Sequence, residues 1–278
     1  MNLKLRNTPI LLLLLTGTCA ASDDPDQVAV LRNVDPLDDT PGIEAPLEPE
    51  VWDIRLGLLT AVHPDYAGSD DYETSLAPYF RINWKDTIVL GGRSVRARIY
   101  DRQGFSVGPL ARLRGGRDED DNDDLRGLGD DDRAVEVGGF ARYRTGPYRL
   151  RLTAVHDVGG GHNGAVVEMG AGVQVPFDRP WFLLMGKATW ADQDYTSSYF
   201  GITDRQAARS GLRPFRASAG IRDVGFSTSS RLTLWRGLSL VAVLNYERLL
   251  GDAADSPLTA RLGDANQLSA STGLIYRF

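Results

Sequence analysis

From residue 52 onward, apolar and polar residues alternate with a period of two. Leu268, Ala270, Thr272, Leu274, Tyr276 and Phe278 fall on one face of the last segment, and Ser269, Ser271, Gly273 and Arg277 on the other, with Ile275 the exception. That period marks a β-strand with two differently solvated sides. It recurs in Ile54, Leu56, Leu58, Thr60 and Val62, in Leu76, Pro78, Phe80, Ile82 and Trp84, and in Tyr148, Leu150, Leu152 and Ala154. Residues 87–92 and 94–100 read as two short strands around Gly91-Gly92. Further apolar faces are Phe105 to Leu113, Val135 to Tyr143, Val167 to Val175, Phe182 to Trp190, Phe215 to Ile221 continuing into Phe226, Leu232 and Leu234, and Leu238 to Tyr246. The phase changes between Ile221 and Phe226, which requires a bulge near Asp223 to Phe226.

The count comes to about twelve strands, and an even number is what a single-chain bacterial barrel needs. Connections alternate in length. Lys85-Asp86, Gly146-Pro147, 176–180 and Arg236-Gly237 are short, whereas 63–72, 115–132, 193–213 and 249–265 are long and polar. Tyr79, Trp84, Tyr100, Tyr143, Tyr148, Trp181, Trp190, Trp235, Tyr246, Tyr276 and Phe278 are read as interfacial girdles near strand ends. The pattern predicts an all-β, transmembrane antiparallel barrel over 52–278 in the outer membrane, with periplasmic termini and long extracellular loops. Its belt would contact lipid and lipopolysaccharide, and its insertion would need the barrel-assembly machinery.

Composition narrows the classes. Net charge is −6 and the pI about 5.2, which argues against nucleic acid as a partner. Mean hydropathy is −0.25, too low for a helical membrane protein, but a barrel presents only alternate residues to lipid. Residues 1–21 read as a signal peptide: Lys4 and Arg6, the apolar run Ile10 to Leu15, then Thr18-Cys19-Ala20-Ala21. Cys19 is the only cysteine. A lipoprotein signal is the competing reading, with Thr18 a poor fit before it. Residues 22–51, rich in Asp, Glu and Pro, read as a disordered periplasmic leader.

If the apolar positions face lipid, the lumen receives Arg55, Arg81, Arg96, Arg98, Arg112, Arg142, Arg149, Arg151, Arg216 and Arg277, with Glu136, Glu168 and Glu247 among fewer acidic partners. Two readings stay open: an interior of ion pairs and water that stiffens the barrel, or a narrow anion-preferring channel. Catalysis has little to build on. The histidines are His63, His156 and His162, and no motif sets Ser69 or Ser197 against one of them. The acidic run from Asp118 to Asp124 fails as an EF-hand, since its sixth and twelfth positions are Asp123 and Gly129. Gly159 to Gly164 lacks the Lys-Ser/Thr ending of a phosphate loop. The sequence therefore points to no enzyme, cofactor or resident metal.

Four blocks carry a resemblance. Pro64-Asp65-Tyr66-Ala67-Gly68-Ser69-Asp70-Asp71-Tyr72 resembles the first-loop motif P-x-Y-x-G-S-x-x-Y of the MipA/OmpV family of outer-membrane proteins. Asp118, Asp120 and Asn122 lie in the second block, Asp192, Asp194, Tyr195, Tyr199, Phe200 and Gly201 in the third, and Gly251, Asp252, Asp255, Ser256 and Pro257 in the fourth. The resemblance implies a scaffold bridging a lytic transglycosylase and a murein synthase, or alternatively a surface adhesin or antigen. It brings no catalytic residues. Physically, the glycines and prolines of these blocks set loop shape, and their Ser, Asp and Asn side chains can bond the loops' own backbone. Residues 203–210 predict one short helix with Thr203 as N-cap and Gly211 as stop. Such blocks would fold a cap over the barrel mouth, or recognise a ligand there.

Overall fold

The computed structural model describes residues 51–175 and 181–278; the expected signal peptide with Cys19, the leader up to residue 50 and the expected turn at 176–180 lie outside them. The strands are β1 (Trp52–Pro64), β2 (Tyr72–Trp84), β3 (Ile88–Gly91), β4 (Ser94–Ala97), β5 (Tyr100–Arg102), β6 (Phe105–Arg114), β7 (Ala134–Thr145), β8 (Tyr148–Asp157), β9 (Ala165–Val175), β10 (Trp181–Ala191), β11 (Gly220–Trp235), β12 (Leu238–Leu249) and β13 (Asn266–Arg277). Helices α1 (Gln193–Phe200) and α2 (Asp204–Ser210) lie between β10 and β11, and α3 (Gly251–Asp255) and α4 (Pro257–Leu262) between β12 and β13. None of the described helices is long and apolar enough to cross a membrane.

All strand pairings are antiparallel, and β1 pairs with both β2 and β13, which closes the sheet on itself. β4 and β5 run in succession along β6. Ser94 to Arg96 lie opposite Arg112 to Leu110, and Tyr100 to Arg102 opposite Val107 to Phe105, with a one-residue slip between the two registers. They form one bulged stave, so the thirteen strands make a twelve-stave barrel. The wall is low at the β3–β4 hairpin, whose strands have four residues each. Among the described residues, β2 therefore has a strand partner on that side only at Arg81–Trp84. Pro78 falls on the unpaired stretch, where a missing N–H costs no ladder bond.

The alternation read from the sequence is the alternation of the wall. Leu58 is 51 % exposed and its neighbour Leu59 2 %. The outward face carries Leu56, Leu150, Leu152, Leu184, Leu244 and Leu274. Four details differ from expectation. The bulge in β11 falls at Arg222, because Thr189 pairs with Asp223 and Trp190 with Ile221. The extra residue turns both Arg222 and Asp223 inward, where they pair. Phe215 and Ala217 belong to no strand: Phe215 bridges Ile202, and Ala217 is buried beside Phe200. Arg216, expected in the lumen, is exposed in that same loop ahead of β11. The lumen is also less polar than alternation implies. Tyr79, Leu59, Val241 and Ile275 form one inward cluster, and Trp181, Leu183 and Met185 another, so Tyr79 and Trp181 are interior residues and not girdle residues. Leu59 and Ile275 fit because Gly273 and Gly57 stand opposite them across the closing seam. A Cβ at Gly273 would collide with Leu59.

Candidate functional site: the capped mouth

The turns 85–87, 103–104, 146–147 and 236–237 lie at one end of the barrel, and the long segments at the other. Those long segments meet over the mouth in a shared apolar core. Tyr66 comes from the β1–β2 loop, Leu125 and Leu128 from the β6–β7 loop, Ile202 and Leu212 from the β10–β11 segment and Leu258 from α4, with Ala207, Phe215 and Leu262 packed around them. A second cluster joins Phe200, Ala217, Leu249 and Ala253. No single loop could bury this surface alone, so each fixes the others.

The blocks singled out in the sequence supply the frame. α1 starts on Asp192, whose side chain accepts the Tyr195 N–H at 3.0 Å and the Ala165 N–H at 2.7 Å. Asp194 is exposed in the first turn, and Gly201 closes the helix with its N–H on the Ser197 carbonyl. α2 carries the expected Thr203 cap, here a reciprocal capping box with Gln206, and stops at Gly211 in the left-handed region. Gln206 also donates to the Leu128 carbonyl at 2.6 Å. Gly251 opens α3 at φ 52°, and Asp252 accepts the Ser218 N–H. Asp255 is exposed at the end of α3. Ser256 is buried and donates to the Phe200 carbonyl at 2.7 Å, and Pro257 begins α4. In the first loop, Gly68 donates to Gln267, Ser69 pairs with Gly263 and Tyr72 opens β2. Pro64 ends β1, its carbonyl 3.1 Å from His63 Nδ1. Asp118 accepts the Asp120 N–H at the exposed tip of the second loop. Asn122 caps a short 3₁₀ turn at Asp123–Leu125, and its amide donates to Asp65 and Asp71 of the first loop.

Beneath the cap, charged side chains cross the lumen. Arg112 holds Glu168 with two bonds of 2.9 and 3.0 Å and also reaches Glu136. Arg114 donates to Glu136 at 2.7 Å. Glu136 is fully buried, and His162 Nε2 lies 3.0 Å from it. The Gly164 N–H donates to His162 Nδ1, so Nε2 carries the proton that Glu136 accepts. Tyr195 of α1 meets this histidine edge-on and Tyr199 lies tilted beside it, and Arg114 and Arg222 both lie against the Tyr195 ring. Toward the turn end, Arg55 and Arg277 pair with Asp53. Arg98 pairs with Asp101, Arg149 with Gln174, and Lys187 with Glu247. Arg142 lies against Phe140, and Arg81, Arg96 and Arg151 sit on inward positions of β2, β4 and β8. Inward parity is legible in the sequence. The part played by His162, from a glycine-rich loop, is not, because loop residues carry no parity.

The catalytic candidates are engaged otherwise. Ser69 Oγ accepts the Asp71 N–H, and Ser197 donates to the Ala217 carbonyl. His63 meets Ser75 at 3.2 Å, a pairing the sequence did not suggest. Ser75 is 2 % exposed, and Glu73 stands 3.6 Å from His63 Nδ1, beyond hydrogen-bond reach.

In the cap, burial together with Asp124 and Asp70 pushes the Tyr66 phenol up to about 12. Burial lifts the Asp131 carboxyl above its ordinary range despite Arg117 at 2.7 Å.

The family model for MltA-interacting protein MipA matches residues 56–278. A search of curated protein sequences found no match. Among solved structures, an outer-membrane channel of Pseudomonas putida F1 is similar at 14% identity, covering 86% of this chain and 99% of that one with a TM-score of 0.43. The NanC porin is similar at 11% identity, over 82% of this chain and 100% of that one, with a TM-score of 0.43. The translocator domain of the autotransporter NalP from Neisseria meningitidis is similar at 11% identity, over 91% and 95%, with a TM-score of 0.38.

Proposed function

Because the chain belongs to the MltA-interacting protein MipA family and its barrel resides in the outer membrane, we propose that it is a non-enzymatic scaffold. It would bring a murein-cleaving lytic transglycosylase together with a murein synthase. The observation that carries this reading is the apolar core that the long loops share. Four loops share one core above a lumen crossed by ion pairs, which favours a molecule that works through its surfaces. With the turn end in the periplasm, the described residues there offer the murein enzymes turns of two or three residues, and the leader that precedes Trp52 lies on the same side. The leader over 22–50 is acidic, with Arg32 its only cation. Contact with the enzymes is assigned to that leader and to the rim around Lys85, Arg102 and Arg236. The opposite end and the apolar belt are left to lipopolysaccharide and lipid, and insertion to the barrel-assembly machinery.

Photo-crosslinkers at leader positions and at Lys85, Arg102 and Arg236 test this in living cells. Recovery of a lytic transglycosylase and a synthase from those positions, and not from Arg213 on the cap, is expected. Efficient crosslinking to other proteins with neither enzyme recovered overturns the reading. A second reading, an anion channel, is favoured by one observation: the lumen below the cap carries more arginines than carboxylates. A steady anion-selective current through the intact protein would put it first.

A further inference from the structure

The cap is divided in charge. The run from Asp118 to Asp124 makes its second loop acidic. The segment that follows α1 is the reverse: Arg205, Arg209, Arg213 and Arg216 come in quick succession, with Asp204 just ahead of them. All four arginines are exposed. Among the described residues, none of the four pairs with a carboxylate, although Gln206 of the same helix bonds the Leu128 carbonyl of the acidic loop. Arg126 of that loop, by contrast, pairs with Asp123. Unneutralised cations gathered on one segment of a chain of net charge −6 set up a local positive field. From α2 the segment runs to the barrel rim: Leu212 enters the cap core, Phe215 bridges Ile202, and the Ser218 N–H meets Asp252 before β11 begins at Gly220. A fifth arginine stands at the rim. Arg248 closes the outward column Leu240, Ala242, Leu244 and Tyr246 of β12. Tyr246 below it packs on Phe226 with ring centres 5.6 Å apart, an outer girdle pair. The Asn266 amide oxygen accepts the Tyr246 hydroxyl at 2.7 Å and Arg248 at 2.8 Å, and the amide nitrogen donates to Asp264. Arg248 is thereby held in place while exposed.

We propose that Arg248 and the arginines of 205–216 form a binding track for the phosphates of lipopolysaccharide. Guanidinium forks match phosphate oxygens two at a time. The placement selects this partner among anions. The cations begin directly above the girdle, at the depth of the outer-leaflet headgroups, and continue onto the cap, as the phosphorylated sugars of lipopolysaccharide continue away from the membrane. A soluble anion needs no cation at the girdle, and an ordinary phospholipid would engage Arg248 without α2. The track rests on the barrel's residence in the outer membrane and on no part of the scaffold reading.

The full chain in micelles of an uncharged detergent is titrated with fluorescently labelled rough-type lipopolysaccharide, and separately with the same material after its phosphates have been removed. Saturable binding of the phosphorylated form is expected, weakening as salt is raised, with little binding of the dephosphorylated form. Arg205→Gln, Arg209→Gln, Arg213→Gln and Arg216→Gln combined weaken binding by roughly tenfold or more, and Arg248→Gln alone by roughly fivefold. Lysine at the same four cap positions recovers most of the binding, which separates lost charge from a disturbed cap. Arg126→Gln, on the same cap but already paired with Asp123, leaves binding unchanged. Equal binding of the dephosphorylated form, undiminished binding by the combined variant, or an equal loss in Arg126→Gln overturns the proposal. Tighter binding of a phosphate-free acidic polysaccharide overturns it as well, since the arginines would then serve a different partner. None of these outcomes bears on the crosslinks expected at Lys85, Arg102 and Arg236.

Discussion

Glu136 is the residue on which the lumen's charge network turns, because Arg112, Arg114 and His162 all converge on it at zero exposure. Removing one partner from a buried pair strands the others, at a cost of roughly 3–5 kcal/mol. Glu136→Gln is therefore expected to lower the unfolding midpoint in micelles sharply, whereas Asp101→Asn at the exposed Arg98 pair leaves it nearly unmoved. Tyr66 makes the complementary case. Its ring anchors the cap and its hydroxyl has no partner. Tyr66→Phe should stay within about 1 kcal/mol of the unsubstituted protein, and Tyr66→Ala should lose about 3–5 kcal/mol. The phenol's folded pKa of about 12 exceeds the unfolded value near 10. Its contribution is therefore complete below pH 10 and lost as pH rises toward 12. Cap proteolysis followed across that window should accelerate in the unsubstituted protein and less so in Tyr66→Phe.

Among the elements, α2 shows how much local chemistry can specify. The Thr203 side chain, Gln206 three residues on and Gly211 in the left-handed region define a helix that the sequence alone predicts. Thr203→Ala removes the cap bond and is expected to cost about 1 kcal/mol. That appears as faster limited proteolysis near Arg205 and Arg209 with no change in global unfolding. The segment just after α2 shows the opposite. Phe215, Ala217 and Ala219 alternate like a strand, yet Phe215 is held by Ile202 and the cap core. Tertiary burial overrode a period-two pattern too short to bind its neighbours. The bulge in β11 lies between these extremes. A phase change is visible from Ile221 to Phe226, but its placement at Arg222 follows from the Arg222–Asp223 pair beside Thr189 and Tyr195.

For the whole molecule, the cap and the ion-pair layer decide whether the barrel conducts. The intact protein in planar bilayers is expected to pass no steady current. Replacing Asp194–Gly211 with a short Gly-Ser linker removes α1 and α2, with Tyr195, Tyr199 and Phe200, and should produce an anion-preferring conductance through an arginine-rich lumen. Continued silence would mean that the inward clusters around Leu59 and Trp181 fill the bore by themselves. The sequence by itself determined the barrel, its even number of staves, the outward apolar face, the inward arginines and the short-turn and long-loop ends. Each of these follows from side-chain period and turn chemistry, which act over a few residues. Only the tertiary structure decided that Arg216 stays out of the lumen, that His162 closes the Glu136 network and that Asp70, Asp71 and Asp124 converge. Those outcomes depend on which distant segments share a volume, and residues as far apart as Tyr66 and Leu258 meet only once the sheet has closed and stacked its loops over one mouth.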